Sequence, residues 1–271
     1  MLSVRLCAVI LIQILLGFFC LSSAVPGYAE WYVAGYGGVN TGAKLTDVTM
    51  PVHGQRLAEA QFPTTTDFRS GDTLTQNFKT SDMSLKYSPI FGAKAGFFLD
   101  DPSLKWLGFE LEAFTTKPNI KQQTLETAHD ITFLPALPPS DPSSQCSLTL
   151  GVTGCPETLD QKGQLSVMDA SLRVSTIAVN VVARYPGAFL QPYAGVGVGA
   201  FYFKGTGQFD GRQVYPGLNA MLGLRLLVTE GWGVFVEGKY NLANVSNFDP
   251  NFGLSGTYSI FHFVTGLAYH F

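Results

Sequence analysis

The last fifteen residues, Thr257 to Phe271, alternate with a period of two. One set, Phe261, Phe263, Thr265, Leu267, Tyr269 and Phe271, is almost wholly apolar. The other, Ile260, His262, Val264, Gly266, Ala268 and His270, is mixed and holds two histidines. Successive strand side chains point to opposite faces, so the segment predicts a β-strand with one apolar face and one partly polar face. A soluble strand of this kind turns its apolar face to a core. Here the sequence stops at Phe271, and no later segment is expected to cover that face.

The other end carries an export pattern. Arg5 supplies a short positive region, Leu6 to Leu21 is an apolar run broken by Gln13 and Gly17, and small residues follow. This predicts a secretory signal peptide over 1–29, cut after Ala29 in preference to Ala24. A membrane-anchoring helix is the alternative, but the run falls short of about 20 residues. Cys20 follows Phe19 where a lipidation site needs a small residue. Cys7 and Cys20 would leave with the leader. Cys146 and Cys155 remain, close together in an exported chain, which predicts a disulfide in a small loop.

The chain is 46% hydrophobic and only 14% charged. No second apolar run is long enough for a spanning helix. That leaves a large buried core or alternating strands that face lipid, and 29 glycines with 13% aromatics fit the second. A formal charge of −3 gives no argument for nucleic-acid binding.

Eight alternating segments can be read: 30–40, 83–99, 106–116, one ending at 185, 190–203, 216–226, 232–241 and 257–271. Residues 41–81 and 117–163 carry no sustained alternation and read as long loops. Above Ile177 the faces of the fourth segment blur, and a bulge near Arg173 is one explanation. Asp100 to Ser103, Pro186-Gly187 and Thr229 to Gly231 read as tight turns. Trp31, Trp106 and Trp232 fall at the tight-turn ends of their strands, as an interfacial girdle would. Phe114, Phe201, Tyr202, Tyr240 and Tyr258 are expected to mark the opposite ends.

Tight turns alternating with long loops, Asn180 and Arg184 ahead of Pro186, and the closing alternation on Phe271 together resemble the small eight-stranded outer-membrane β-barrels. That family includes the OmpA transmembrane domain, OmpX and the opacity-type proteins. The resemblance implies an all-β fold over 30–271, an antiparallel up-and-down transmembrane barrel with short periplasmic turns and long external loops. It implies residence in the outer membrane of a Gram-negative-type bacterium. It further implies contact with outer-membrane lipid and lipopolysaccharide, and with the assembly machinery through Phe271, Tyr269 and Leu267. The expected state is a monomer without cofactor.

Candidate chemistry lies on the inward faces. Lys94, Glu110, Glu112, Asn180, Arg184, Asn219, Arg225, Glu237, Lys239 and His262 share them. Eight strands leave an interior that side chains can fill, so these residues read as a salt-bridged plug rather than as a conduction or catalytic site. A hairpin centred on Pro102 would set Lys94 opposite Glu110, and one centred on Glu230 would set Arg225 diagonal to Glu237. Gly195-x-Gly197-x-Gly199 leads into more strand rather than a helix, so it is no phosphate loop. Lipid A deacylases of similar fold carry His-x-Ser in a strand, and no histidine here has serine two residues on. The expectation is a non-enzymatic barrel with a structural or surface-interaction role. A narrow conduit for small, apolar molecules is the alternative. A soluble lipocalin-like barrel would need the charged face outside.

Overall fold

The computed structural model describes residues 29–61, 73–134 and 157–271. Most of the expected leader, Cys146 and Cys155 lie outside the described residues. In chain order the elements are β1 (Ala29–Thr49), α1 (Pro51–Gln61), β2 (Thr73–Thr80), β3 (Met83–Ser84), β4 (Pro89–Leu99), β5 (Leu107–Thr116) and β6 (Gln123–Leu134). They continue with β7 (Glu157–Val167), β8 (Ser171–Arg184), β9 (Leu190–Thr206), β10 (Arg212–Leu227), β11 (Trp232–Val245) and β12 (Ser255–His270).

The ladders run β1–β4–β5–β8–β9–β10–β11–β12, and β12 pairs back onto β1 from Tyr32↔His270 to Thr49↔Ser255. Every pairing is antiparallel, so eight strands close a barrel without an edge. Closure lets strands cross hydrocarbon, where an unpaired backbone group costs several kcal/mol. Among the described residues no helix is long and apolar enough to cross a membrane. Outward residues form the apolar band: Val196, Val198, Leu218, Leu222, Val236 and Phe263 are each more than half exposed. Aromatics gird the tight-turn end, where Trp31, Phe97 and Phe109 follow one another at 4.9 and 5.7 Å and Trp232 lies 5.1 Å from Tyr269. At the far end Tyr202 and Tyr240 point outward, but Phe114, Phe201 and Tyr258 point inward and are buried, contrary to expectation.

The two stretches read as loops contain a second structure. β2, β6 and β7 form an antiparallel sheet that joins the barrel through Thr49↔Lys79. α1 packs on β2: Gln76 Nε2 donates to the Pro51 carbonyl at 2.9 Å, and Ala58 is fully buried. Pro51 opens the helix where a missing N–H costs nothing. This external half has an apolar core of Leu45, Met83, Leu85, Ile120, Leu172 and Phe203, which leaves a cavity of only about 20 Å³.

Two bulges hid β1's extension. Register shifts fall between Thr41 and Lys44 and between Thr46 and Thr49, with Gly42 (φ +62°) and Asp47 (φ +51°) in left-handed backbone there. Each extra residue flips the phase, so the buried set runs Tyr32, Ala34, Tyr36, Asn40, then Ala43 and Leu45, then Val48 and Met50. A second phase change separates buried Met83 and Leu85 from buried Ser88 and Ile90. The blurring in β8 has another cause. β8 pairs one-to-one with β9 from Ser171 to Arg184 without a bulge, and even-numbered residues face inward throughout. Only the polarity inverts, with Leu172 and Val174 inside and Arg173 and Ser175 outside.

The first tight turn is centred one residue later than expected. Leu104 N donates to the Asp101 carbonyl at 2.8 Å and Leu107 N to the Leu104 carbonyl at 2.8 Å, which extends the turn to Trp106. Lys94 therefore faces Glu112, not Glu110, which faces Gly96.

Candidate functional site

The inward faces of the eight strands meet in a charged layer across the middle of the lumen. Lys94 Nζ on β4 donates to Glu237 Oε2 on β11 at 2.7 Å and lies 3.4 Å from Glu110 Oε2. Lys239 on β11 pairs with Glu112 on β5, and its Nζ is 3.7 Å from Glu237. β5 and β11 are four strands apart either way round the ring, so this pair spans the diameter. Hydroxyls and amides complete the layer. Tyr32 and Tyr36 donate to Glu110 and Glu112 at 2.6 and 2.5 Å, and Tyr193 to Glu237 at 2.7 Å. Asn180 Nδ2 donates to Glu110 at 3.0 Å, Asn219 Nδ2 to Glu112 at 2.9 Å, and Asn241 Nδ2 to the Asn219 amide oxygen at 2.8 Å.

Local sequence allows this crowding. Gly223 sits beneath Tyr193, and a Cβ there would come within 2.4 Å of the ring. The side chains of Lys94, Glu112, Glu237 and Lys239 are 0–1% exposed. Charges so far from water need partners, because an isolated buried ion is penalised by several kcal/mol.

A second cluster closes the tight-turn end. Arg184 forms a two-pronged pair with Glu30, whose Oε1 is also 2.7 Å from His270 Nδ1. Arg225 stacks over Tyr32 at 4.6 Å and reaches His270 Nε2 at 3.3 Å. The expected Arg225–Glu237 pairing does not form, because Lys94 and Lys239 occupy Glu237. Three inward cations, Lys94, Arg184 and Lys239, thus meet four carboxylates, Glu30, Glu110, Glu112 and Glu237, while Arg225 rests on Tyr32 and His270. Above them Asn40, Ser88 and Thr116 form a short hydroxyl-amide chain. His262 is fully buried against Phe114 but makes no hydrogen bond with the network.

Glu30, Tyr32, Tyr36, Tyr193, Asn241 and His270 were not among the candidates. The parity of β1 puts Glu30, Tyr32 and Tyr36 on one face, a signal that was available. Among the described residues no group of three or more His, Cys, Asp and Glu is placed to hold a metal ion. Phe271 ends the chain beside Trp31, donating its N–H to the Trp31 carbonyl at 3.0 Å, while Tyr269 and Leu267 point outward.

A closed eight-strand barrel with an apolar wall and an ionic interior is the architecture of an outer-membrane protein. Residues 15–271 match the outer membrane protein beta-barrel domain family. The chain belongs to this family. As a member it is an outer-membrane barrel of the Gram-negative type. No curated protein matches the sequence. Among solved structures the chain is similar to Neisserial surface protein A, at 11% identity over 90% of this chain and 99% of that one, with a TM-score of 0.45. It is also similar to the outer membrane protein OprG of Pseudomonas aeruginosa, at 12% identity over 90% and 96%, with a TM-score of 0.40. The attachment invasion locus protein Ail of Yersinia pestis, solved with the heparin analogue sucrose octasulfate, matches at 10% identity over 90% and 99%, with a TM-score of 0.39.

Proposed function

We propose that this outer-membrane barrel is a sealed, non-enzymatic platform that carries a surface-interaction structure, and not a conduit. The observation that supports this reading is the Lys239–Glu112 pair across the lumen diameter, locked to Lys94 and Glu237 in a layer excluded from solvent. A polar solute would have to break buried ion pairs, then pass the apolar layer of Phe114, Phe201 and Phe203 above them. An apolar solute would meet the charged layer. The inward carboxylates are held by lysine, arginine and asparagine, which leaves none as a free base beside a nucleophile.

The interaction role falls to α1, β2, β6 and β7, which add nothing to barrel closure. Conductance of the refolded full chain in planar bilayers tests the seal. No stable steps are expected from wild type, and openings should appear when Glu112 and Lys239 are both replaced by alanine. Stable conductance from wild type would replace this reading with that of a conduit.

A further inference from the structure

We propose that the outer wall of β5, β8, β9 and β10 carries a binding site for the phosphate groups of outer-leaflet glycolipid. The site goes beyond the seal and needs only that the barrel stands in the outer membrane. Its core is a row of like charges on adjacent strands. Arg173 on β8 is the direct partner of Lys204 on β9, which is the direct partner of Arg212 on β10. Lys117 follows the last ladder pair of β5, Thr116↔Val174, and continues the row on its other side. All four lie on the outward face, and Arg173, Arg212 and Lys117 are exposed. With strands about 4.8 Å apart the row spans roughly 14 Å.

Like charges directly opposite one another are destabilising unless something anionic lies between them. Among the described residues none of the four cations makes an ion pair, whereas Lys86 and Lys105 on the same molecule do. Asp210, two residues before Arg212, makes none either.

The rungs beneath supply the rest of a headgroup site. One step toward the membrane the outward residues are Thr115, Ser175, Tyr202 and Val214, in register across the same four strands. Three of these carry hydroxyls, and those of Thr115 and Ser175 lie 3.1 Å apart. The next rung, Ala113, Ile177, Ala200 and Pro216, is apolar. From there to Leu226 the outward residues of β10 are apolar without a break. That run is about 34 Å of strand, or roughly 25 Å along the membrane normal at the usual tilt, which matches the hydrocarbon band. Cations, then hydroxyls, then hydrocarbon is the order in which a phosphorylated glycolipid presents phosphate, sugar and acyl chain. The wall opposite lacks the row: Asn244, Thr257 and Thr46 are aligned there without charge, and Lys44 stands beside Ser84 and Ser259.

Native mass spectrometry of the full chain in detergent tests the site, with bis-phosphorylated lipid A and its dephosphorylated form as probes. Wild type should retain the phosphorylated form preferentially. The Arg173→Gln, Lys204→Gln, Arg212→Gln triple variant should lose about 100-fold in affinity for it, each cation contributing about fivefold at an anionic surface. Binding of the dephosphorylated form should not change, and Lys44→Gln should behave as wild type. The heat-dependent gel shift reports that each variant is folded. If the triple variant does not fold, Arg173→Gln alone should show about a fivefold loss. Equal retention by wild type and variant, equal loss in Lys44→Gln, or displacement by millimolar inorganic phosphate would each overturn the assignment.

Discussion

The membrane half and the external half are built from the same strands with opposite polarity. β9 shows both in one run. At Val198 the outward side chain is apolar and its inward neighbours are Gly197 and Gly199, which make room for lumen residues. At Phe203 the inward side chain is apolar, and outward Lys204 and Thr206 are polar. Lipid rewards apolar surface outside and leaves charge to be satisfied inside. Water above the membrane reverses both demands. In β9 the register does not change at the boundary, so along this strand each half is specified by side-chain choice alone.

The strongest test of this contrast lies on the inner faces. Glu112→Ala should cost about 3–5 kcal/mol by leaving Lys239 buried without its partner. Adding Lys239→Ala should restore part of the loss. Phe203→Ala in the external half should cost a similar ~3–5 kcal/mol through a cavity. That loss should appear as local amide exchange while the barrel stays inserted. Denaturant titration of refolded protein, with exchange measured in parallel, separates the two. Full additivity of Glu112→Ala and Lys239→Ala, together with global rather than local exchange in Phe203→Ala, would erase the distinction.

On the outer faces Val198→Arg should destabilise by about 2–4 kcal/mol, because it sets a charge against hydrocarbon. Thr206→Arg, eight residues further along the same strand, should change stability by less than about 0.5 kcal/mol. Similar losses at both positions would mean that the boundary is misplaced.

Deleting Phe271 removes one ring of the tight-turn girdle and should cost the finished barrel at most about 1.5–3 kcal/mol. Resemblance to the family's terminal signal predicts a larger effect on the amount inserted in cells, with detergent refolding preserved. Quantitative blotting of membranes against refolding yield would show it, and normal membrane levels would remove the signal role.

The smallest effect concerns acid. In the external half His53 and His129 flank Phe78 at 5.2 and 5.3 Å. Burial holds His53 below the usual histidine range, with Arg56 adding to it. Burial also lowers His129; Asp130 partly offsets this, His53 adds a smaller lowering, and the Gly54 backbone opposes it slightly. A lowered folded value means that the unfolded state takes up the proton first. Stability from both histidines is therefore complete above about pH 6.5 and falls as pH drops toward their folded values. Amide exchange at pH 5 and 7.5 should show α1, β2 and β6 loosening at the lower pH while the lumen ladders do not change. Equal protection at both values would refute it.

The barrel was legible because lipid enforces a strict period of two over each span, so eight segments and their tight turns can be read directly. The external half was not, for three physical reasons. Gly42 and Asp47 each add a residue to β1 and shift its phase, so Ala43, Leu45 and Val48 never share one parity. β2 exposes Thr73, Thr75, Asn77 and Lys79 and fully buries only Phe78, and the half-buried Gln76 and Thr80 on its inner face are polar, so it carries little hydrophobic signal. In β8 the alternation persists but changes sign between Ile177 and Val174, which imitates a bulge. In the lumen, parity located the ionisable residues, but partner choice depended on three-dimensional reach. Lys94 and Glu237 are 143 residues apart, and no hairpin rule joins them.

The continuity of β1, β8, β9, β10, β11 and β12 through both halves has a mechanical consequence. A pull on the external structure enters the barrel along the strand axes. Antiparallel ladder bonds lie perpendicular to those axes, so such a force shears many of them at once instead of unzipping them singly. The external ends of β8, β9 and β10 are continuous with the barrel wall through fourteen consecutive rungs between β8 and β9 and fifteen between β9 and β10. Traction at the surface would therefore be resisted by the wall of the barrel itself.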